Sequence, residues 1–63
     1  MEAMVGREAT VTEEISNENN RGRVLLDGDN WQARSLGNEE IPAGATVEIV
    51  QLNSIVLIVK KIS

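Results

Sequence analysis

The sequence predicts an all-β protein whose strands close into one small barrel. Five segments of the 63-residue chain have the pattern of β-strands: four alternate apolar and polar residues, which is the period of a strand with one buried face, and the fifth is rich in β-branched residues. Short turns rich in glycine, asparagine and aspartate separate them, and no stretch fits a helix longer than one turn. A barrel is favoured over an open sheet because closure removes the exposed edges that invite aggregation.

The first segment, residues 5–15, places Ala9, Val11 and Ile15 on one face. Glu13 falls on the same face, so we expect a β-bulge or a sheet edge to turn its carboxylate outward. The polar residues that follow, 16–20, form a predicted solvated loop.

The second and third segments, residues 21–28 and 30–36, form a predicted hairpin. They are joined through Asp27 and Gly28, and an Asp-Gly pair between apolar runs is a strong hairpin signal because glycine adopts positive φ at little cost.

The linker between the third and fourth segments, residues 37–44, contains two glycines and the only proline. In this linker, Asn38 could cap a single helical turn that Pro42 ends. The fourth segment, residues 45–52, alternates like the others. The fifth, residues 55–62, begins with apolar residues on both faces.

Five strands with at most one helical turn between the third and fourth are typical of the OB-fold, a five-stranded Greek-key barrel. A five-stranded SH3-like barrel is the main alternative. We assign residues 5–63 to the barrel domain and residues 1–4 to an N-terminal tail or a cloning remnant.

The composition argues against catalysis, metal binding and cofactor binding. The chain has neither cysteine nor histidine, so it cannot assemble a thiolate metal site or a Ser-His-Asp or Cys-His catalytic arrangement. With 10 acidic and 6 basic residues the net charge is −4, which disfavours nucleic-acid binding. The longest apolar run, residues 55–59, is too short to cross a bilayer, so we expect the chain by itself to be soluble.

Several short stretches follow one another in the order typical of a known family. They are Val5-Gly6, Gly22-Arg23-Val24-Leu25-Leu26, Gly28-Asp29-Asn30-Trp31-Gln32-Ala33-Arg34-Ser35, Gly44 with Val47-Glu48-Ile49-Val50, and Leu57-Ile58-Val59. The Gly-x-x-Trp-x-Ala-x-Ser stretch is the most specific of them. Over nearly its whole length the chain thus resembles the C-terminal domain of the NfeD (nodulation efficiency protein D) proteins.

The resemblance implies an OB-fold with a binding role. In that family the domain usually follows transmembrane helices, some longer members carry a serine-protease domain, and the proteins are associated with stomatin- and flotillin-type membrane scaffolds. The resemblance therefore implies a non-catalytic protein-interaction module that docks on such a scaffold. It also implies a parent protein that upstream helices, absent from this chain, associate with the membrane.

Four apolar residues that interrupt the alternation form the candidate partner interface: Leu25, Val50, Val56 and Ile58. Trp31, the only aromatic residue, is placed near the rim of this surface. The alternative for Val56 and Ile58 is that the linker or the N-terminal segment covers them as a second layer. Self-association is another use of such a surface.

Trp31 has two further interpretations. It can anchor the predicted hairpin over the core, or it can be a stacking platform next to Arg21, Arg23 and Arg34. The stacking interpretation would make the face of the second and third strands a weak site for single-stranded nucleic acid or oligosaccharide.

Overall fold

The structure is a computed structural model that describes residues 4–62. Residues 1–3 of the predicted tail and residue 63 of the predicted domain lie outside this range. The described chain forms five strands: β1 (Glu8–Ser16), β2 (Arg21–Leu26), β3 (Asp29–Ser35), β4 (Thr46–Asn53) and β5 (Val56–Lys61). All five predicted segments are confirmed as strands. The first begins later than predicted because residues 4–6 form a turn, in which the Arg7 amide donates to the Met4 carbonyl at 3.1 Å.

The strands form one closed barrel in the order β1-β2-β3-β5-β4, and β4 pairs back to β1. The β3–β5 pairing is parallel, and the other four pairings are antiparallel. This order is the predicted OB-fold. The parallel pair distinguishes it from the SH3-like alternative, in which neighbouring strands run antiparallel.

Inward residues of all five strands fill the core and alternate with outward ones, as the sequence predicts. The largest fully buried side chains are Val11, Ile15, Val24, Ile41, Val47, Ile49, Leu57 and Val59. In β1 the register with β2 shifts on both sides of Glu13, and this residue is exposed. The predicted bulge is therefore confirmed, and it explains how a carboxylate is tolerated at an apolar position.

The β2–β3 hairpin closes as predicted. Leu26 pairs with Asp29, so the turn consists of Asp27 and Gly28, whose φ angles are 53° and 84°. Two successive positive φ values define the type I′ turn that matches the twist of a two-residue hairpin.

The linker contains no helix, so the single helical turn that the sequence allows between β3 and β4 does not form. Asn38 has a φ of 61° and does not act as a helix cap. Instead the Glu39 amide donates to Ser35 Oγ at 3.0 Å. Ile41 then bridges Ile15 through two backbone hydrogen bonds of 2.8 and 3.0 Å and is itself fully buried. The linker thus anchors its central apolar residue in the core beside β1.

Gly22 lies where β2 approaches its neighbours most closely. Its φ is 146°, and a Cβ atom added to it would stand 2.7 Å from the Ala33 carbonyl oxygen and 2.9 Å from Ile15 Cγ1. Real Cβ atoms essentially never make contacts this short. Only glycine therefore permits β2 to approach β1 and β3 this closely at position 22.

Candidate partner-binding surface

Val56 and Ile58 lie on the outer face of β5 and alternate with Leu57 and Val59, which are fully buried in the core. Both outward side chains are partly buried, so each presents part of its surface to solvent. The side chains of β5 therefore alternate between the core and the outer face, although the residues at both kinds of position are apolar.

The two segments predicted as a possible second layer pack elsewhere. The linker follows β1, where the Gly44 amide donates to the Val11 carbonyl at 2.8 Å. The N-terminal segment follows β4, where the Gly6 amide donates to the Ile49 carbonyl at 2.8 Å. Within residues 4–62, the backbone hydrogen bonds that tie these two segments to the strands thus go to strands other than β5.

Val50 belongs to the same outer face as Ile58. The β4–β5 register shifts between Ile49 and Gln51, which makes Val50 the extra residue of a β-bulge. Ile49 is fully buried and Leu52 packs against the core, so the two residues between them point outward. Because Gln51 pairs with Ile58, the partly buried Val50 lies next to that isoleucine.

Ile55 extends this face to the tip of the β4–β5 hairpin. Asn53 pairs with Val56, so Ser54 and Ile55 form the turn, and Ile55 is 72% exposed. Ile55 was not among the predicted surface residues. The available signal was an apolar residue directly after the polar pair Asn53-Ser54, where a turn is expected. We name the set of Val50, Ile55, Val56 and Ile58 the β4–β5 patch.

Leu25 lies apart from this patch. It is 41% exposed on the outer face of β2, and its neighbours across the strands are Thr10 and Asn30. The whole of β3 lies between it and β5. Of the predicted interface residues, the structure therefore brings together Val50, Val56 and Ile58 and separates Leu25 from them.

Leu25 instead borders an open groove of about 310 Å³ that an ion pair flanks. Arg7 donates two hydrogen bonds to Asp27, of which the bond from Nη2 to Oδ1 measures 2.7 Å. These hydrogen bonds, with the attraction between the charges, hold the pKa of Asp27 below its ordinary value and raise the pKa of Arg7. The pair is solvent-exposed, and the sequence reasoning did not anticipate it because the partners are 20 residues apart.

Trp31 and the three arginines of the alternative site occupy opposite sides of the β2–β3 sheet. Trp31 pairs with the buried Val24, is partly buried and packs against the core, as the anchoring interpretation predicts. Arg21, Arg23 and Arg34 have the opposite parity and point outward. A base stacked on the indole would therefore not meet guanidinium groups on the same face.

Residues 4–62 contain no group of three acidic side chains arranged to hold a metal ion. No helix in this part of the chain is long and apolar enough to span a membrane.

Comparison with known proteins agrees with the architecture. Residues 1–61 match the family model described as NfeD-like C-terminal, partner-binding domain. No curated protein matches the chain significantly.

The solved structures that are similar to the whole barrel include two relatives of known source. The C-terminal domain of stomatin operon partner protein 1510-C from Pyrococcus horikoshii is 35% identical, with a TM-score of 0.83, over 95% of this chain and 89% of that chain. The soluble domain of a membrane protein implicated in regulation of membrane protease activity, from Corynebacterium glutamicum, is 32% identical, with a TM-score of 0.84, over 95% of both chains. The chain thus belongs to the family of NfeD-like C-terminal, partner-binding domains.

Proposed function

We propose that this domain is a non-catalytic module that docks on a stomatin- or flotillin-type membrane scaffold through the β4–β5 patch. The family to which it belongs is a partner-binding family, and one structural neighbour is named as a stomatin operon partner. The other neighbour is the soluble domain of a membrane protein, which supports a membrane-associated parent for this domain as well.

The observation that carries the proposal is the position of the patch on the outside of the barrel. A strand with one solvated face needs apolar residues only at alternate positions. Here Val50, Val56 and Ile58 are apolar, outward and partly exposed, and Ile55 adds a side chain that is 72% exposed. Contiguous exposed apolar surface of this kind marks interaction sites.

The binding free energy that the patch can contribute is estimated from the burial of its apolar side chains by a partner. Full burial of an exposed valine or isoleucine contributes about 1.5–3 kcal/mol. Because three of the four patch residues are already partly buried, the patch contributes several kcal/mol in total, before the entropy of association is subtracted.

The test is the double substitution Val56→Ser/Ile58→Ser, measured as binding to a purified stomatin-type scaffold from the same organism. We expect binding to be lost while the urea unfolding midpoint, followed by Trp31 fluorescence, stays close to that of the unchanged chain. Leu25→Ser is the matched control, since it removes an exposed apolar side chain outside the patch.

Two results would contradict the proposal. Unfolding of the double variant would show that Val56 and Ile58 belong to the core. Binding retained in the double variant would remove the interface from the β4–β5 patch, and a simultaneous loss of binding in Leu25→Ser would move it to β2.

A further inference from the structure

An arginine cluster borders the β4–β5 patch on the side of β3 and β2. We define this cluster as Arg21, Arg23 and Arg34. Arg34 lies directly beside Ile58 in the parallel β3–β5 register. The β2–β3 register pairs Arg23 with Gln32, and continuing it by two residues brings Arg21 beside Arg34.

The dimensions of this combined face suit one helix. Neighbouring strands are about 4.8 Å apart, so the path along the barrel wall from β2 through β3 and β5 to β4 is roughly 14 Å long. A helix is about 10–12 Å across with its side chains. A helix seated on Val56 and Ile58 would therefore place one flank over Arg34, within reach of the ends of the Arg21 and Arg23 side chains from the next strand.

Strand addition, the other common mode of peptide capture, needs a sheet edge. Each of the five strands in the described chain has a neighbour on both sides, because the barrel is closed. Strand addition is confined to short stretches such as residues 29–31 of β3, which pair with β2 but not with β5. The structure therefore favours docking on side chains of the outer face, which is the mode that helices use.

The cluster is cationic in a chain whose net charge is −4. The ion pairs within residues 4–62 are Arg7–Asp27 and Lys60–Glu48, and neither includes an arginine of the cluster. Arg34 donates to Asn20 Oδ1 at 3.1 Å, and Glu13 lies opposite Arg23 in the β1–β2 register. Because none of the three guanidinium groups forms an ion pair in this part of the chain, they can still pair with carboxylates of a partner next to the apolar surface.

We infer that the partner segment recognised by this domain is an amphipathic helix with an apolar stripe and a row of carboxylates along one flank. The inference rests on the proposed function for the location of the surface but not for the identity of the scaffold. The stripe packs on the β4–β5 patch, and the carboxylates meet the arginine cluster. Charge complementarity then fixes the orientation of the helix.

The experiment uses two dye-labelled helical peptides of about 20 residues, long enough to form helix in water. Both carry the same leucine stripe, and one has glutamate where the other has lysine along one flank. Their binding to the complete chain is measured by fluorescence anisotropy at low and high salt, in parallel with binding to the stomatin-type scaffold.

We expect the glutamate peptide to bind at least about ten-fold more tightly than the lysine peptide at low salt, and the difference to shrink at high salt. Arg21→Gln/Arg23→Gln should reduce the preference, and Arg7→Gln/Lys61→Gln, which removes two positive charges outside the cluster, should leave it unchanged. Val56→Ser/Ile58→Ser should weaken binding of both peptides.

Equal binding of the two peptides, or binding of neither, would overturn the inference. A third result would also overturn it: neither peptide binds, but the chain binds vesicles containing 30% phosphatidylglycerol and this binding depends on the same arginines. The surface would then recognise anionic lipid. If the chain prefers the glutamate peptide but does not bind the stomatin-type scaffold, the proposed scaffold is wrong and the inferred helix recognition stands.

Discussion

Substitution of Gly22 by alanine tests the packing of the barrel wall most directly. The new Cβ would lie 2.7 Å from a backbone oxygen and 2.9 Å from Ile15 Cγ1, and the residue would have to keep a φ of 146°. Overpacking costs about 1–3 kcal/mol. A strained backbone conformation costs roughly a further 1–3 kcal/mol.

These costs are large for so small a domain. At roughly 0.05–0.15 kcal/mol per residue, the free energy of unfolding of this chain is about 3–9 kcal/mol. The substitution removes about 2–6 kcal/mol of it. We therefore expect Gly22→Ala to be unfolded, or to unfold at a much lower urea concentration than the unchanged chain.

The assay is urea denaturation followed by the fluorescence of Trp31, the only tryptophan. With a slope of about 1 kcal/mol per M, each kcal/mol of destabilisation moves the midpoint by roughly 1 M. Gly28→Ala is the matched control, because Gly28 also has a positive φ but nothing lies within 4 Å of its added Cβ. Its cost is limited to about 1–2 kcal/mol of backbone strain. Equal midpoints for the two variants would refute the close approach at Gly22.

Three further outcomes are expected. Asn17→Ala should destabilise the fold by about 1–3 kcal/mol in the same urea assay. The reason is that Asn17 Nδ2 donates to the Ser35 carbonyl at 2.8 Å and Asn17 Oδ1 accepts from the Ser35 backbone amide at 2.9 Å. An unchanged midpoint would contradict this. The carboxyl of Asp27 should titrate below its ordinary pKa in NMR spectra and return to it in Arg7→Ala; its stabilising effect, present above the ordinary pKa, is lost as the pH falls through the lowered one. Single-stranded oligonucleotides at low salt should leave Trp31 fluorescence unchanged, and quenching that salt reverses would restore the stacking interpretation.

The strands were predictable because their signals are local. Alternation identified the first four, the β-branched residues identified the fifth, and Asp27-Gly28 fixed the hairpin, since all three signals depend on residues adjacent in the sequence. Glu13 predicted a bulge or a sheet edge, because a carboxylate is not buried without a partner, and the structure has the bulge.

Contacts between distant residues were not predictable in the same way. The Arg7–Asp27 pair, the hydrogen bonds of Asn17 to Ser35, and the bridge of Ile41 to Ile15 join residues far apart in the sequence. No local pattern specifies them, because they form only after the barrel has closed.

The candidate surface shows the same division. Parity identified Val50, Val56 and Ile58 as outward apolar residues, and this depends on β4 and β5 alone. Whether Leu25 joins them depends on strand order, which places β3 between. Ile55 was not predicted as part of this surface, because its exposure depends on the two-residue turn between β4 and β5.

Barrel closure has a consequence for how such a domain can diversify. In an open sheet, β-branched residues along an unpaired edge strand would promote edge-to-edge pairing of one molecule with the next, so selection would remove them. With every strand bonded on both sides, that hazard is absent, and the outer positions of β4 and β5 can change without altering the buried row beneath them. Relatives with the same interior can therefore acquire different binding preferences through a few exterior replacements.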